Sequence, residues 1–367
     1  MSCDLEALAK PGIRSLHPYL PGKPVSELER ELGITNIVKL ASNENPLPVS
    51  ESIREAMLAE FDETTRYPDS NAYYLKEAIS AKTGVAMNGI TVGNGSNDVL
   101  DMIARVFAGP GDEVMFSQHA FVVYPIVTQC VGATPVVIPA LNWGHDLNAM
   151  AAAITDKTRL IYIANPNNPT GTCLMSDELK AFMDKVPAEV IVVIDEAYYE
   201  YASDPNYPNT VSWLTAYPNL VITRTFSKAY GLAALRVGYS LSSNTISGLL
   251  NRVRHPFNSN SVGLAAATAA LKDDDYLKAS VEINASGMSQ LISMCDEMGL
   301  EYIPSSANFL TIDMAQEAAP LYQAYLHEGV IVRPVANYEM PNHLRISIGL
   351  EQENERFIAA TRKVLGK

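Results

Sequence analysis

Apolar runs alternate with amphipathic segments from residue 90 to residue 241. Seven of these runs have the length and the branched side chains of buried strands, and they span residues 90–93, 113–117, 134–138, 159–164, 190–194, 220–223 and 237–241. Helical patterns, such as that of residues 98–107, separate them. This alternation predicts an α/β fold whose mainly parallel seven-stranded sheet is covered by helices on both faces.

The pattern changes after residue 241, where long helical segments replace the alternation. Helix candidates at 245–253, 263–271 and 276–298 precede strand candidates at 308–312, 330–332 and 343–348. Four prolines within the first 24 residues indicate an extended arm. We therefore predict an N-terminal arm (1–45) that packs with the small domain, a large domain (46–242) and a smaller α+β domain (243–367). The cleft between the two domains is the expected place for a ligand.

Composition and charge limit the partners. With 47% hydrophobic and 19% charged residues, the chain has the composition of a soluble globular protein. Its net charge of -14 argues against nucleic acid or an anionic membrane surface as a partner, so an anionic ligand must be held by local arginines. The longest near-apolar run, 262–271, is too short to span a bilayer, and the acidic first twelve residues lack the apolar core of a secretory signal.

Cysteine usage indicates the compartment. The four cysteines, at positions 3, 130, 173 and 295, are far apart and form no paired motif. They suggest neither a metal site nor a disulfide framework, so no metal ligand is predicted. Reduced thiols in the cytoplasm are the expected state of these residues.

Polar side chains follow three consecutive strand candidates. Asn168 lies in the loop Asn-Pro-Asn-Asn-Pro-Thr-Gly at 165–171, Asp195 ends an apolar strand, and Lys228 follows residues 220–223. Ligands of an open parallel sheet bind beyond the carboxyl ends of its strands. We therefore expect these three side chains to meet at one edge of the sheet.

Lys228 and Asp195 each admit a functional and a structural interpretation. A partly desolvated lysine is a nucleophile that can hold a carbonyl cofactor, although most single lysines lie on the surface. A buried carboxylate must be paired, either with the protonated nitrogen of a pyridine ring or in a structural salt bridge or helix cap. Tyr198 could hydrogen-bond the phenolic oxygen of such a ring. Phe121 could lie flat on the ring or belong to the core.

A phosphate site is indicated at two places. The turn at residues 94–97, which contains Ser96 and Asn97, precedes a helix whose free amides could receive a phosphate, although a plain capped turn explains it equally well. The turn lacks the third glycine of the dinucleotide fingerprint, which argues against a Rossmann oxidoreductase. Ser227 and Arg236 could bind the same phosphate.

Together these segments resemble the fold-type-I pyridoxal-5'-phosphate (PLP) aminotransferases. The likeness rests on Asn-Pro-Asn-Asn-Pro-Thr-Gly, on Asp-Glu-Ala-Tyr and on Ser-Lys with an arginine eight residues later, and it spans nearly the whole chain. It implies that PLP joins Lys228 as a Schiff base and that Asp195 faces the pyridine nitrogen. The other PLP contacts that it implies are Asn168 and Tyr198 at the ring oxygen, Phe121 on the ring, and Ser96, Asn97, Ser227 and Arg236 at the phosphate.

The same resemblance implies an assembly and a substrate clamp. Tyr67 would reach the cofactor phosphate of a neighbouring subunit, so the protein would be a homodimer with shared active sites. In the segment 343–348, Leu344 and Ile346 share one face and Arg345 takes the other. Arg345 could face solvent, but the resemblance makes it the planar clamp for the substrate carboxylate.

Four segments most resemble one branch of the family, the histidinol-phosphate aminotransferases. They are His-Pro-Tyr-Leu-Pro-Gly at 17–22, Asn-Glu-Asn-Pro at 43–46, Tyr-Pro-Asp at 67–69 and Val-Ile-Val-Arg-Pro at 330–334. The likeness implies that Arg333 binds a distal substrate phosphate and that Tyr19 and Asn43 complete the substrate site. A surface role is the alternative for Arg333 and Tyr19.

This branch implies transamination of L-histidinol phosphate with 2-oxoglutarate, giving imidazole acetol phosphate and L-glutamate. An aromatic amino acid is the alternative donor, since its side chain also suits an apolar pocket. A PLP decarboxylase of the same fold, a non-catalytic regulator and an unrelated binding protein are further alternatives. Glu339 lies six residues from both Arg333 and Arg345 and could pair with either.

Overall fold

The strands follow the branched and aromatic runs of the sequence. The computed structural model describes residues 3–18 and 22–366, so Tyr19, expected in the substrate site, lies outside the described residues. In chain order the strands are β1 (Val38–Lys39), β2 (Ile90–Gly93), β3 (Glu113–Ser117), β4 (Thr134–Ile138), β5 (Thr158–Ala164), β6 (Ile191–Asp195), β7 (Leu220–Thr225), β8 (Gly238–Ser242), β9 (Tyr302–Ile303), β10 (Phe309–Asp313), β11 (Val330–Ile331), β12 (Arg333–Val335) and β13 (Met340–Ser347).

Within the described residues the largest sheet has seven strands, in the order β2-β8-β7-β6-β5-β3-β4. The neighbours from β7 to β4 pair in parallel, whereas β8 runs antiparallel to both β2 and β7. The twelve residues between β7 and β8 contain no α-helix, whereas the crossover between parallel strands is usually an α-helix. The prediction of a mainly parallel seven-stranded sheet is therefore confirmed.

Helices cover both faces of this sheet. In chain order, the α-helices of the described residues are α1 (Pro11–Arg14), α2 (Val25–Leu32), α3 (Glu51–Ala59), α4 (Tyr73–Thr83), α5 (Ser96–Phe107), α6 (Val123–Val131), α7 (Leu147–Ala152), α8 (Ser176–Met183), α9 (Asn244–Val253), α10 (Ser261–Ala270), α11 (Asp274–Met298), α12 (Ala318–His327) and α13 (Glu351–Leu365). In β6, Val192 and Ile194 pack with α3, α4, α8 and α10, whereas Ile191 and Val193 pack with α5, α6 and α9. Burial on both faces explains why these strands are continuous apolar runs.

A smaller α+β unit follows, as predicted. Its sheet has the order β12-β13-β10-β9 with antiparallel neighbours, and its core also contains Leu291 of α11, Tyr325 of α12 and Phe357 of α13. Near the N-terminus, β1 pairs in parallel with β11, which attaches this early segment to the smaller unit.

The predicted division at residue 242 stays a prediction. The two helices that follow it, α9 and α10, pack on opposite faces of the seven-stranded sheet. Among the buried residues that follow position 242, Leu291 is the first that belongs to the core of the smaller unit. Among the helices that the structure describes, none is both long and apolar enough to cross a membrane.

Candidate active site

A cavity of about 200 Å³ lies at the carboxyl edge of the parallel strands, between the two units. Loop residues that follow β1, β5, β6 and β7 converge on it with residues of β12 and β13. Twelve of the predicted site residues line it, namely Asn43, Ser96, Asn97, Phe121, Asn168, Asp195, Tyr198, Ser227, Lys228, Arg236, Arg333 and Arg345. The structure thus brings these residues into one space, and the role of each stays a prediction.

Strand register explains this convergence. Ala164 at the end of β5 is the Cα partner of Asp195 at the end of β6, and Asp195 is the partner of Thr223 in β7. Thr225 at the end of β7 pairs in turn with Gly238 at the start of β8. Because β8 is antiparallel, the segment before it returns to the same edge.

Asp195 lies in the cavity wall and is 4% exposed. Its Oδ1 accepts a hydrogen bond from the Thr223 hydroxyl at 2.8 Å, and its Oδ2 accepts one from the Tyr124 hydroxyl at 2.8 Å. Burial raises the pKa of Asp195 to about 6, and the two hydrogen bonds oppose that rise. The carboxylate is therefore ionised at neutral pH, and it retains acceptor positions for a further donor.

The neighbouring carboxylate, Glu196, is hydrogen-bonded to other side chains of the protein. Its Oε2 accepts hydrogen bonds from Arg224 Nε and Nη2, each at 2.8 Å, and its Oε1 accepts one from Thr210 at 2.5 Å. The Arg224 guanidinium also lies 3.7 Å from the centroid of the Tyr199 ring. Arg224 balances the negative charge of Glu196 in this buried ion pair. Asp195 is therefore the carboxylate of the Asp-Glu-Ala-Tyr segment that lines the cavity.

Lys228 follows β7 and directs its amine into the cavity. Its Nζ donates hydrogen bonds to the backbone carbonyls of Ser42 at 3.2 Å and Asn43 at 3.1 Å. Burial, and after it the Arg345 guanidinium, lower the pKa of Lys228 to about 7. A substantial fraction of this amine is therefore neutral at neutral pH, which is the form that attacks a carbonyl carbon.

The start of α5 and Arg236 form a cradle for an anion. Gly95 has φ +81°, and a Cβ there would lie 2.5 Å from Arg236 Nη2, so this close approach requires glycine. A Cβ at Gly238 would lie 2.3 Å from the Ser96 amide nitrogen. Arg236, itself at φ +54°, donates from Nη1 to Ser227 Oγ at 3.1 Å. That backbone conformation costs about 1 kcal/mol or more in a non-glycine residue, which is typical of a functional position.

Tyr198 and Asn168 offer hydrogen-bond donors to the same space. Burial raises the pKa of Tyr198 to about 12, so its phenol keeps the proton at neutral pH. Its hydroxyl oxygen accepts a hydrogen bond from Asn43 Nδ2 at 2.9 Å, which places Asn43 as a support of Tyr198. Asn168 Oδ1 accepts from Arg345 Nη1 at 2.6 Å, so the amide nitrogen of Asn168 is its donor group for a ligand.

Two arginines lie side by side on neighbouring strands of the smaller sheet. Arg333 in β12 and Arg345 in β13 are Cα partners, and both line the cavity. Arg345 Nη2 also donates to the carbonyl of Ala41 at 2.9 Å, and its guanidinium lies 5.3 Å from the centroid of the Phe309 ring. Like charges on directly opposed strand residues repel, so this pair favours an anionic ligand. In a chain of net charge -14, it is a local positive site.

Two further residues that the sequence singled out, Glu339 and Tyr67, are not among the residues that line the cavity in the described part of this chain. Glu339 accepts a hydrogen bond from Gln118 Nε2. Tyr67 is 81% exposed, and its ring stacks on that of Phe257 with a centroid distance of 4.5 Å. Within one chain, Tyr67 is therefore separate from the cavity, and its predicted contact requires a second subunit.

The sequence interpretation missed the residues that support Asp195. Tyr124 is fully buried, and its ring stacks on Tyr162 with a centroid distance of 4.6 Å and an interplanar angle of 2°. Tyr124 lies at the start of α6, three residues after Phe121, and this closeness in the sequence to a predicted cavity residue was the available signal. Tyr338 also lines the cavity, but its position depends on the fold of the smaller unit and had no local signal.

Comparison with known proteins gives a consistent family. The model of the class I and II aminotransferases matches residues 35–360. "Histidinol-phosphate aminotransferase 1" of Idiomarina loihiensis is 57% identical over 359 residues, which are 98% of each chain. "Histidinol-phosphate aminotransferase 2" of Pseudomonas aeruginosa is 56% identical over 364 residues, which are 99% of each chain. The crystal structure of histidinol-phosphate aminotransferase from Sinorhizobium meliloti in complex with PLP superposes with a TM-score of 0.90 at 29% identity, covering 98% of this chain and 97% of that one.

Proposed function

The chain belongs to the class I and II aminotransferase family, and on that premise we propose that it transfers the amino group of L-histidinol phosphate to 2-oxoglutarate with PLP as cofactor. The products are imidazole acetol phosphate and L-glutamate. Relatives of 55–57% identity along the whole chain carry the name of this activity. The observation in the structure that carries the proposal is a single cavity that holds Lys228, Asp195 and the opposed pair Arg333 and Arg345.

The residues of the cavity fit PLP. The cradle of Ser96, Ser227 and Arg236, kept open by two glycines, suits a phosphate. Asp195 suits a protonated pyridine nitrogen, because it is ionised, buried and still able to accept a hydrogen bond. Tyr198 and Asn168 would donate to the ring oxygen, Asn97 would assist at the phosphate, and Phe121 would cover the ring.

Lys228 is the residue that we assign to proton movement. When bound, PLP supplies an electron sink that makes the hydrogen of the amine-bearing substrate carbon acidic. Lys228 Nζ, with a pKa lowered to about 7 by burial, is suited to remove that proton and to return it during the same turnover. The two carbonyls that its amine contacts hold the side chain in the cavity.

We assign each of the two arginines to a different anionic group of the substrates. Arg345 would bind a carboxylate of L-glutamate and 2-oxoglutarate, because a guanidinium matches a carboxylate with two parallel hydrogen bonds. Histidinol phosphate has no carboxylate, so its phosphate would lie against Arg333. We expect Arg345 to matter mainly for the glutamate half of the reaction and Arg333 mainly for the phosphate half.

A donor panel tests this function. Purified protein with PLP and 2-oxoglutarate should form L-glutamate from L-histidinol phosphate with a kcat/KM about 100-fold above that for L-histidinol, because the alcohol lacks the group that Arg333 binds. L-Phenylalanine should also be a poorer donor than L-histidinol phosphate. L-Phenylalanine as the preferred donor would favour an aromatic aminotransferase, and release of carbon dioxide without glutamate would favour a decarboxylase.

We also propose a homodimer with shared active sites. Tyr67 is presented on an exposed surface by its stack on Phe257, and Tyr73 and Tyr74 are 47% and 73% exposed. Both latter residues line a separate cavity of about 1140 Å³. Exposed aromatic side chains are typical of protein interfaces, and a second copy is the partner that would bring Tyr67 to a cofactor phosphate.

Mixed dimers test the sharing. Lys228→Ala, which is inactive alone, and Tyr67→Ala, which is weakly active alone, should regain activity when co-expressed with different tags and purified as the mixed dimer. One of its two sites then has Lys228 from one chain and Tyr67 from the other. The matched control is Lys228→Ala with Asp195→Ala, which leaves both sites defective. Equal activity of the two mixed dimers, or a monomer by light scattering, would contradict shared sites.

A cytoplasmic location is also proposed. The four cysteines are free in the structure, and Cys295 is buried. Unpaired thiols of this kind are typical of a reducing compartment.

A further inference from the structure

Two hydroxyl groups saturate one side of the Asp195 carboxylate. The phenol of Tyr124, from α6, donates to Oδ2, and the hydroxyl of Thr223, from β7, donates to Oδ1. All three side chains are at most 4% exposed. An ionised carboxylate has about four acceptor positions, so two hydrogen bonds leave room for a ligand donor on the cavity side.

The Tyr124 hydroxyl has one orientation available. Burial, and after it the charge of Asp195, raise the pKa of Tyr124 well above the usual value, so the phenol never ionises near neutral pH. An ionised carboxylate can only accept, and therefore the phenol must donate. Removing this donor would leave Oδ2 buried without that partner.

Tyr124 is held in place by a second tyrosine. Its ring is nearly parallel to the ring of Tyr162 from β5, with centroids 4.6 Å apart. The Tyr162 hydroxyl donates to the backbone carbonyl of Leu100 at 2.9 Å and not to Asp195. The two rings are thus equally buried, but only one of them serves the carboxylate.

We propose that Tyr124 and Thr223 are positioning residues that keep Asp195 ionised and aimed into the cavity, so that it binds the protonated pyridine nitrogen of PLP. Neither residue lines the cavity. Each acts through Asp195. The inference rests on PLP as the cofactor of the proposed function.

The surroundings of Asp195 explain why it needs these donors. Glu196, the residue after it, repels its charge, and Arg224 compensates Glu196. From other elements, Tyr162 and Tyr198 are neutral phenols nearby, and Lys228 is a partly neutral amine in the same cavity. Burial thus raises the pKa of Asp195 to about 6 against two hydrogen bonds. Loss of one bond raises that pKa further, so the ionised form is lost at a higher pH.

Tyr124→Phe tests the inference, with Tyr162→Phe as the matched control. We expect the acid limb of PLP binding to move to higher pH in Tyr124→Phe, since a hydrogen bond to a charged group holds the pKa of Asp195 down by about one unit. Relative to wild type, the Kd for PLP should then rise about fivefold near pH 6 and hardly change near pH 8. Isothermal titration calorimetry of the apoprotein across the pH range measures both quantities, and Tyr162→Phe should follow wild type.

A second variant and a second measurement keep the test independent of folding and of cofactor binding. Thr223→Val removes the other donor and should shift the acid limb in the same direction. Infrared difference spectra of the apoprotein report protonation of Asp195, with Asp195→Asn identifying its band. Midpoints of Tyr124→Phe and Thr223→Val equal to that of Tyr162→Phe would overturn the inference. A wild type that binds no PLP would overturn the proposed function instead, and the infrared midpoints would still decide the role of the two hydroxyls.

Discussion

Replacing Lys228 by alanine should abolish turnover, lowering kcat by about 10⁴-fold or more, because the variant loses both the amine that joins the cofactor and the base that moves the substrate proton. The effect should be this large because the amine lies in the cavity, is held by two backbone carbonyls and has a pKa lowered to about 7. Structurally the change is mild, because the Asn43 carbonyl keeps a hydrogen bond from Asn308 Nδ2 at 3.1 Å and water in the cavity can bind the Ser42 carbonyl.

Three measurements separate this role from a structural one. Borohydride reduction of wild type should leave PLP attached to the peptide that contains Lys228, and the same treatment of Lys228→Ala should leave no such adduct. Lys228→Arg keeps a positive charge but not a neutral amine, so it should be as inactive as the alanine variant. Methylamine in solution should restore part of the lost rate. Wild-type turnover or a persisting adduct in Lys228→Ala would assign the reaction to another residue.

The site residues that follow the ends of strands were predictable from the sequence. Asn168, Asp195 and Lys228 each follow an apolar run, and parallel strands buried on both faces place such positions at one edge. The positions of the outer strands in the sheet were not needed for this conclusion. β5, β6 and β7 are neighbours both in the chain and, within the described residues, in the sheet, so their ends meet whatever the outer strands do.

The contacts that the sequence did not reveal join residues that are distant in the chain. Tyr124 reaches Asp195 across 71 positions, and the stack of Tyr124 on Tyr162 depends on how α6 lies on β5. The helices α9 and α10 follow the last strand of the large sheet, yet they return to cover its two faces. An amphipathic pattern shows that a helix buries one face, but it does not say which sheet provides the partner.

The charge of the chain and the charge of its cavity have opposite signs. A net charge of -14 repels anions at long range, whereas the cavity is lined by Arg236, Arg333 and Arg345. Salt screens the long-range part within about 10 Å at ordinary ionic strength, so the nearby guanidinium groups determine what the cavity binds. The sequence predicted this arrangement only in outline, because the opposition of Arg333 and Arg345 depends on the pairing of β12 with β13.

Arg333→Ala should lower kcat/KM for L-histidinol phosphate by about 100-fold, because it removes the guanidinium that we assign to the substrate phosphate. The same variant should change kcat/KM for L-histidinol by less than about threefold, since that donor has no phosphate to lose. Arg333→Lys should be intermediate, because an ammonium keeps the charge but not the paired hydrogen bonds of a guanidinium. Steady-state glutamate formation with each donor measures all three values.

Arg345→Ala is the matched control, since its guanidinium lies opposite that of Arg333 on the neighbouring strand. Its main effect should fall on the KM for 2-oxoglutarate, whose carboxylate is the group assigned to Arg345, and the two variants should therefore show opposite donor and acceptor selectivity. Both variants weaken the repulsion across the strand pair, so a stability change alone would affect every substrate alike. An equal loss for L-histidinol phosphate and L-histidinol in Arg333→Ala would show that Arg333 does not bind the substrate phosphate. It would also remove the reason for preferring a phosphorylated donor over an aromatic amino acid.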